Sequence, residues 1–288
     1  MSERIVYLNG DYVPEGDAKL PIFDRGLIFG DAVYEGFGIL DGQIVDFVYH
    51  MQRLERSLGE LNIPMDFSLD KMFHILMRLI AKNNAKTGFL YLHVTRGAGD
   101  RAFPYHDNYQ SNVFAFTQGE KFNADGPVPV IELATFPDLR WARRDIKSTN
   151  LLAQVMAKQA ASKAGAFEAL LIDPEGMVTE AGSSSFFFVK DDTLYVRPVS
   201  NEILHGITRQ TMLRVAEERH IRLIERTYSL DEVMTADEAL ITASSIYVLP
   251  VGKIDGQLVG NGAAGAFTLA LRAGYLAKAR AEFYQPGP

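Results

Sequence analysis

Two dipeptides constrain this chain more than any other feature. Asn9-Gly10 lies between IVYL and DYV, and Asp41-Gly42 between GFGIL and QIVDF. Asn-Gly and Asp-Gly supply the positive φ angles that a two-residue turn between antiparallel strands demands, so each marks a hairpin. The N-terminal part must therefore build antiparallel sheet. HMQRLERSLGELNI (50–63) and LDKMFHILMRLIAKNNA (69–85) follow, with apolar residues at helical spacing and polar or Asn-rich ends. GFLYLHVTRG and SNVFAFTQ return to strand-like alternation and complete a mixed α+β unit over residues 1–118. Residues 119–129, GEKFNADGPVP, are polar, rich in Gly and Pro and without periodicity, and read as an interdomain linker. Over 130–288, strands such as VIELATF, EALLID, SFFFVK and TLYVRP alternate with helices such as NLLAQVMAKQAASKAG, TRQTMLRVAEERH and GAFTLALRAGYLAKARAEFY. Two domains are the expectation, since 288 residues, 47% of them hydrophobic, can bury a sizeable core.

The residue counts narrow the function classes. With 29 Lys+Arg against 36 Asp+Glu the formal charge is −7, and no basic run is interleaved with aromatics in the way a nucleic-acid groove requires, so nucleic acid is not an expected partner. The chain has 0 cysteines, which excludes disulfides, thiolate nucleophiles and sulfur-ligated metals and fits a reducing cytoplasm. Its six histidines (50, 74, 93, 106, 205 and 220) lack the paired spacing of a metal-binding helix, and no metal is expected. MSERIVYLNG lacks the apolar core of a signal peptide, and no segment offers the roughly 18 uninterrupted apolar residues that span a bilayer. A cytoplasmic protein without a membrane partner is the expectation.

RRDIKSTNLL (143–152) concentrates the chemistry. Lys147 ends a short β-like run just before a turn, where an amine can face a pocket. Arg140, Arg143 and Arg144 supply nearby positive charge that favours its neutral, nucleophilic form. Taken alone, a lysine in a basic run is ordinarily a solvated surface residue. Its neighbours change that balance: FDRGLIFGDAVYEG (23–36), DLRWARRDIKSTNLLAQVMAKQAA (138–161), VTEAGSSS (178–185) and ILHGITRQ (203–210) occur in this order. Together they resemble the pyridoxal-phosphate aminotransferases of fold type IV, and among these the chain is most similar to D-amino-acid transaminases. The resemblance runs from about residue 4 to about residue 275. It implies a two-domain α+β fold whose second domain is a distorted, barrel-like unit, with pyridoxal 5'-phosphate bound between the domains.

The resemblance also implies roles. Lys147 would carry the cofactor as a Schiff base and, once freed, shuttle a proton, so one residue is both anchor and acid/base. Glu180 would sit beside the pyridine nitrogen and keep it protonated, which lets the ring take up a carbanion's charge; without the motif, a glutamate near a glycine is more often a solvated turn residue. For the phosphate, Gly206 would form a turn and Thr208 an N-cap, so that the amides of Ile207 and Thr208 face an anion favoured by the helix dipole. A plain helix cap is the alternative. ITASS (241–245) would add the Ala243 amide and the Ser244 hydroxyl, and Leu204 is implied beside the cofactor. Arg53 would offer bidentate contact to the phosphate, against the alternative of a helix-surface pair with Glu55 or Glu60.

On the substrate side the resemblance implies Tyr34, Ser245 and Arg101, the last reaching the α-carboxylate across a dimer interface. D-amino-acid transaminases place a histidine two residues after that arginine. Here Phe103 stands there, which leaves room for an amine without a carboxylate; His106 could fold back instead. The expected activity is a homodimeric transaminase moving an amino group from a D-amino acid to a 2-oxo acid such as 2-oxoglutarate or pyruvate. The alternatives are an (R)-amine transaminase, a branched-chain L-amino-acid transaminase and a carbon-carbon lyase of the aminodeoxychorismate type. A binding protein that has merely kept the fold is disfavoured by Lys147 and Glu180.

Overall fold

Both turn dipeptides form hairpins in the computed structural model, which describes residues 3–65, 67–106, 108–119 and 123–287. Asn9 and Gly10 have φ 49° and 110°, Asp41 and Gly42 φ 54° and 75°, values that match the twist of the strands they join. The first turn links β1 (Ile5–Leu8) to β2 (Asp11–Pro14), the second β3 (Ala32–Leu40) to β4 (Gln43–Ile44). A short helix, α1 (Arg25–Phe29), lies between the pairs, and α2 (Phe47–Glu60), α3 (Leu69–Lys82), β5 (Gly88–Thr95) and β6 (Val113–Gln118) follow. The long helices stop short of the 63 and 85 suggested by periodicity because Asn62 and Asn84 turn left-handed, at φ 51° and 50°. At the start of α3, Ser68 accepts from the Lys71 N–H at 3.2 Å, with Asp70 in the first turn and Lys82 in the last, each charge matching the helix dipole.

The chain divides into two compact units. The first is Met1–Lys121 with Ile146–Asn150 and Glu282–Pro288; the second is Phe122–Asp145 with Leu151–Ala281. Sequence patterning ran the second domain unbroken from 130 to 288, and of the linker expected at 119–129, residues 120–122 lie outside the described residues. Two returning segments account for the difference. Ile146 is buried in the first unit's core, and Tyr284 packs on Phe47 and Phe73 with ring centroids 5.2 and 5.0 Å apart.

In the first unit six strands pair antiparallel in the order β2-β1-β6-β5-β3-β4. Val33, Phe37, Ile39, Leu90, Leu92 and Val94 fill one face and meet Leu54, Leu58, Leu76 and Leu79 of α2 and α3. Each such side chain contributes about 1.5–3 kcal/mol by leaving water.

The second unit contains β7 (Ile131–Pro137), α4 (Leu152–Lys163), β8 (Glu168–Ile172), β9 (Val178–Ala181), β10 (Ser185–Lys190), β11 (Thr193–Val196), α5 (Ile207–Glu218), β12 (Arg222–Glu225), α6 (Leu230–Val233), β13 (Glu238–Ala243), β14 (Tyr247–Ile254), β15 (Gln257–Leu258) and α7 (Ala266–Ala281). Its strands run β12-β11-β10-β13-β14-β7-β8-β9, with β15 on β14 and parallel pairing at β11/β12, β14/β7 and β7/β8. The ends of this path meet through the Met177–Ser229 bridge and a 3.0 Å bond from the Val178 N–H to the Tyr228 carbonyl. The sheet thus curls towards a barrel that no ladder among the described residues closes. Leu133, Leu170, Phe186, Phe188, Ile241 and Leu249 form its core.

Candidate active site

The β-like run expected to end at Lys147 is not a strand; in the first unit, residues 147–149 lie along β3 with one isolated bridge, Ser148 to Val33. The Tyr34 N–H donates to the Lys147 carbonyl at 3.0 Å and the Thr149 N–H to the Ala32 carbonyl at 3.1 Å. From the other side the Lys147 N–H donates to Oγ of Ser57 on α2 at 3.2 Å. The backbone of this lysine is therefore held from both sides while its side chain stays half-buried. Its Nζ lies 4.2 Å from the centre of the Tyr34 ring, a cation–π distance.

The arginines around it in sequence do not form an uncompensated positive field. Arg140 pairs with Asp138 at 2.7 Å and with Glu180, Arg143 with Asp145 at 3.0 Å, and Arg144 with Asp138 at 3.6 Å. Each charge is met by a carboxylate in its own unit.

Arg53 is buried on the inner side of α2. Its Nε and Nη2 fork onto the two oxygens of Glu35 at 2.8 and 2.7 Å, and His50 Nδ1 lies 2.6 Å from the same carboxylate. A surface pair with Glu55 or Glu60 is thereby excluded as its main partner. Burial pushes the Glu35 carboxyl up, but the charge and hydrogen bonds of Arg53 and the proximity of His50 outweigh it and hold the group at about 2. His50 moves down, chiefly by burial, with Glu35 opposing. Sequence reading missed Glu35 and His50. An acid on the core-facing side of a strand, at the position next to Tyr34, was the signal available.

Arg101 is exposed and lies over the rings of Phe29 and Phe103 at 5.5 and 5.6 Å. Phe103 itself is 76% exposed. Arg25 fixes this loop by donating to the carbonyls of Ala102 and Phe103 at 2.6 and 3.2 Å. His106 is exposed, its ring 6.1 Å from that of Tyr109.

In the second unit, β9 and the 182–184 turn bring Glu180 to a buried position. It accepts from Arg140 and, at 3.0 Å, from the Leu204 N–H. Burial works against the Arg140 charge, but Glu180 and Asp138 raise its pKa above the ordinary arginine value. Thr208 is not the N-cap of α5: Gly206 is, at φ −63° and ψ 130°, with no side chain capping the helix. A Cβ on Gly206 would lie 2.6 Å from Ser185 Oγ, so a larger residue there would require that hydroxyl to move. The first amides of α5, Ile207 and Thr208, consequently lack a side-chain cap. The buried hydroxyls of Thr208, Thr242 and Ser184 have no hydrogen-bond partner. Ala243 ends β13, and Ser244 and Ser245 follow in the turn before Tyr247, whose φ is 61°.

Unpartnered buried hydroxyls beside an uncapped helix start fit a phosphate, which accepts many hydrogen bonds and is favoured at that end of the helix dipole. Among the described residues no cluster of His, Asp and Glu is placed to hold a metal ion.

Comparison with known proteins gives the same direction. A family model described as amino-transferase class IV matches residues 32–254. The D-alanine aminotransferase of Staphylococcus haemolyticus is 35% identical over 272 residues, covering 94% of this chain and 96% of that protein. That of Bacillus licheniformis is 39% identical over 267 residues, covering 91% and 93%. Among solved structures, a T.th. branched-chain amino acid aminotransferase complexed with N-(5'-phosphopyridoxyl)-L-glutamate is similar at TM-score 0.84 and 26% identity, covering 96% of this chain and 94% of that one. The Escherichia coli branched-chain amino acid aminotransferase shares the fold at TM-score 0.88 and 23% identity, covering 99% and 97%.

Proposed function

We infer the activity from a plain premise: the chain belongs to the amino-transferase class IV family. It is a pyridoxal-phosphate-dependent aminotransferase that moves the amino group of a D-amino acid to a 2-oxo acid such as 2-oxoglutarate or pyruvate. The observation that carries the D-amino-acid reading is the likeness to D-alanine aminotransferases across 94% of the chain at 35% identity.

Pyridoxal phosphate, when bound, supplies a carbonyl that condenses with amines and a ring that takes up negative charge. The chain's own residues supply the rest. Lys147 Nζ would anchor the cofactor and, once freed, would take the α-proton of the donor as base and return a proton as acid. Its fixed backbone and the Tyr34 ring restrict where that nitrogen can go. Glu180, oriented by Arg140 and the Leu204 N–H, would keep the pyridine nitrogen protonated, and Leu204 would lie on the cofactor side. The Ile207 and Thr208 amides, the Ala243 amide, the Ser244 hydroxyl and Arg53 would hold the phosphate; the unpartnered Thr208 hydroxyl supports the second unit's share of this assignment. Tyr34 and Ser245 line the substrate side, and Arg101 reaches the α-carboxylate across the dimer interface.

A homodimer is part of the proposal: exposed Arg101 stands beside exposed Phe103, with Ile22 and Leu27 also 74% and 72% exposed in the first unit, which suits a surface covered by a second copy. A cytoplasmic location and the lack of a nucleic-acid partner are proposed on composition, and no described helix is long and apolar enough to cross a membrane. Phe103 specifically favours a second reading in which (R)-amines are also accepted, because the loop offers a flat apolar ring where a polar one was expected.

The test is stoichiometry. D-Alanine and 2-oxoglutarate supplied to the reconstituted enzyme should yield pyruvate and D-glutamate in equal amounts. Turnover with no 2-oxo acid supplied would contradict the transfer and indicate a lyase.

A further inference from the structure

A half-solvated antiparallel sheet ordinarily presents a polar outer face. The sheet of the first unit does not. Opposite its core face stand Tyr34 on β3, Tyr91 and His93 on β5, and Phe114 and Phe116 on β6, aligned by the registers Tyr34↔His93, His93↔Phe114 and Tyr91↔Phe116. The rings form one network: Tyr34 stacks on Tyr91 at 5.3 Å, Tyr91 on Phe116 at 4.8 Å and His93 on Phe114 at 4.4 Å. All five are half-buried, neither core nor free surface. Lys147 Nζ adjoins the network at Tyr34, 4.2 Å from the ring centre.

Stacked rings are ordered before a ligand arrives, so a flat apolar group gains contact area there without freezing side chains. The Tyr91 hydroxyl and His93 Nδ1 satisfy each other at 3.0 Å, which spares these polar atoms a loss when water leaves. Burial pushes His93 down to about 4, with Asp24 opposing, so its ring is uncharged at neutral pH. None of the five rings then carries a charge, and the guanidinium 5.7 Å over Phe116, that of Arg4, is paired with Glu15.

We propose that this aromatic row receives the side chain of the amino donor and selects aromatic and bulky apolar donors over acidic ones. The donor carbon must come to Lys147 Nζ to exchange its proton, and that nitrogen lies over Tyr34, which stacks on Tyr91. The proposal rests on the D-amino-acid aminotransferase reading and names the donor class of that site.

The experiment compares D-phenylalanine, D-alanine and D-glutamate with 2-oxobutanoate as fixed acceptor. In parallel, calorimetry measures binding of 3-phenylpropanoate and propanoate to the holoenzyme. The expected results are kcat/KM at least about tenfold higher for D-phenylalanine than for D-glutamate, and 3-phenylpropanoate bound at least about tenfold tighter than propanoate, as burial of a phenyl ring requires. Tyr91→Leu and Phe116→Leu should each lower kcat/KM for D-phenylalanine about fivefold more than for D-alanine, by loss of ring stacking. Equal binding of the two acids overturns the proposal, as does an equal loss for both donors in both variants. If no D-amino acid is turned over, the donor-hand reading fails; the binding comparison uses achiral acids and still decides whether the aromatic row takes a side chain.

Discussion

Replacing Glu35 by glutamine tests whether the buried Glu35–Arg53–His50 cluster organises the first unit. The carboxylate is fully buried and its oxygens receive Arg53 at 2.8 and 2.7 Å and His50 at 2.6 Å. A carboxyl held at about 2 in the folded chain, against 4.5 when unfolded, contributes about 3 kcal/mol of stability at neutral pH. An independent route agrees: removing one partner of a buried ion pair costs about 3–5 kcal/mol, because the other charge stays desolvated. The sign with pH follows from the lowered value. Below 4.5 the unfolded chain binds the proton that the folded chain refuses, so this contribution fades as pH falls towards about 2. His50, also lowered, adds acid destabilisation that begins below its unfolded value of 6.5. Urea unfolding followed by circular dichroism at pH 7 and pH 4 measures both effects. Glu35→Gln should lose about 3 kcal/mol at pH 7 and show a shallower loss on acidification than the wild type. An unchanged midpoint with an unchanged acid slope would refute the reasoning.

Lys147→Ala should fold yet lose the visible absorbance of the lysine-bound cofactor and nearly all turnover, since anchor and acid/base are one side chain; retained absorbance with near wild-type rates contradicts this. Glu180→Gln should retain cofactor but slow the proton-transfer half-reaction, whereas Arg53→Ala should weaken cofactor binding about 10- to 150-fold, the loss of a charged hydrogen bond. Cofactor titration with single-turnover absorbance separates these two, and the assignments fail if excess cofactor fully restores Glu180→Gln but does nothing for Arg53→Ala. Arg101→Leu should cut turnover of D-alanine about 10- to 150-fold and spare a carboxylate-free (R)-amine; equal losses in a side-by-side rate assay would mean that the arginine only shapes its loop.

Local chemistry was legible in the sequence, and partnership across the fold was not. The Asn9-Gly10 and Asp41-Gly42 hairpins follow from two residues each, and they formed as read. The N-cap of α5 is Gly206 rather than Thr208, and its closeness to Ser185, twenty-one positions earlier in the chain, is not visible in local sequence. The Lys147 segment joins the first unit through bonds to Ala32, Tyr34 and Ser57, none of which sequence spacing reveals. Likewise the run at 140–144 reads as bare positive charge until Asp138, Asp145 and Glu180 are placed against it. The aromatic row needed strand register: Tyr34, Tyr91 and Phe116 are ordinary strand residues singly and adjacent only once β3, β5 and β6 are aligned.

The central claim, transamination of the D enantiomer, is tested most directly with racemic alanine. The reconstituted enzyme is given racemic alanine and 2-oxoglutarate, and chiral chromatography follows all four alanine and glutamate enantiomers. D-Alanine should disappear as D-glutamate accumulates, with L-alanine untouched. Preferential loss of L-alanine with formation of L-glutamate would contradict the claim and favour a branched-chain type L-amino-acid transaminase.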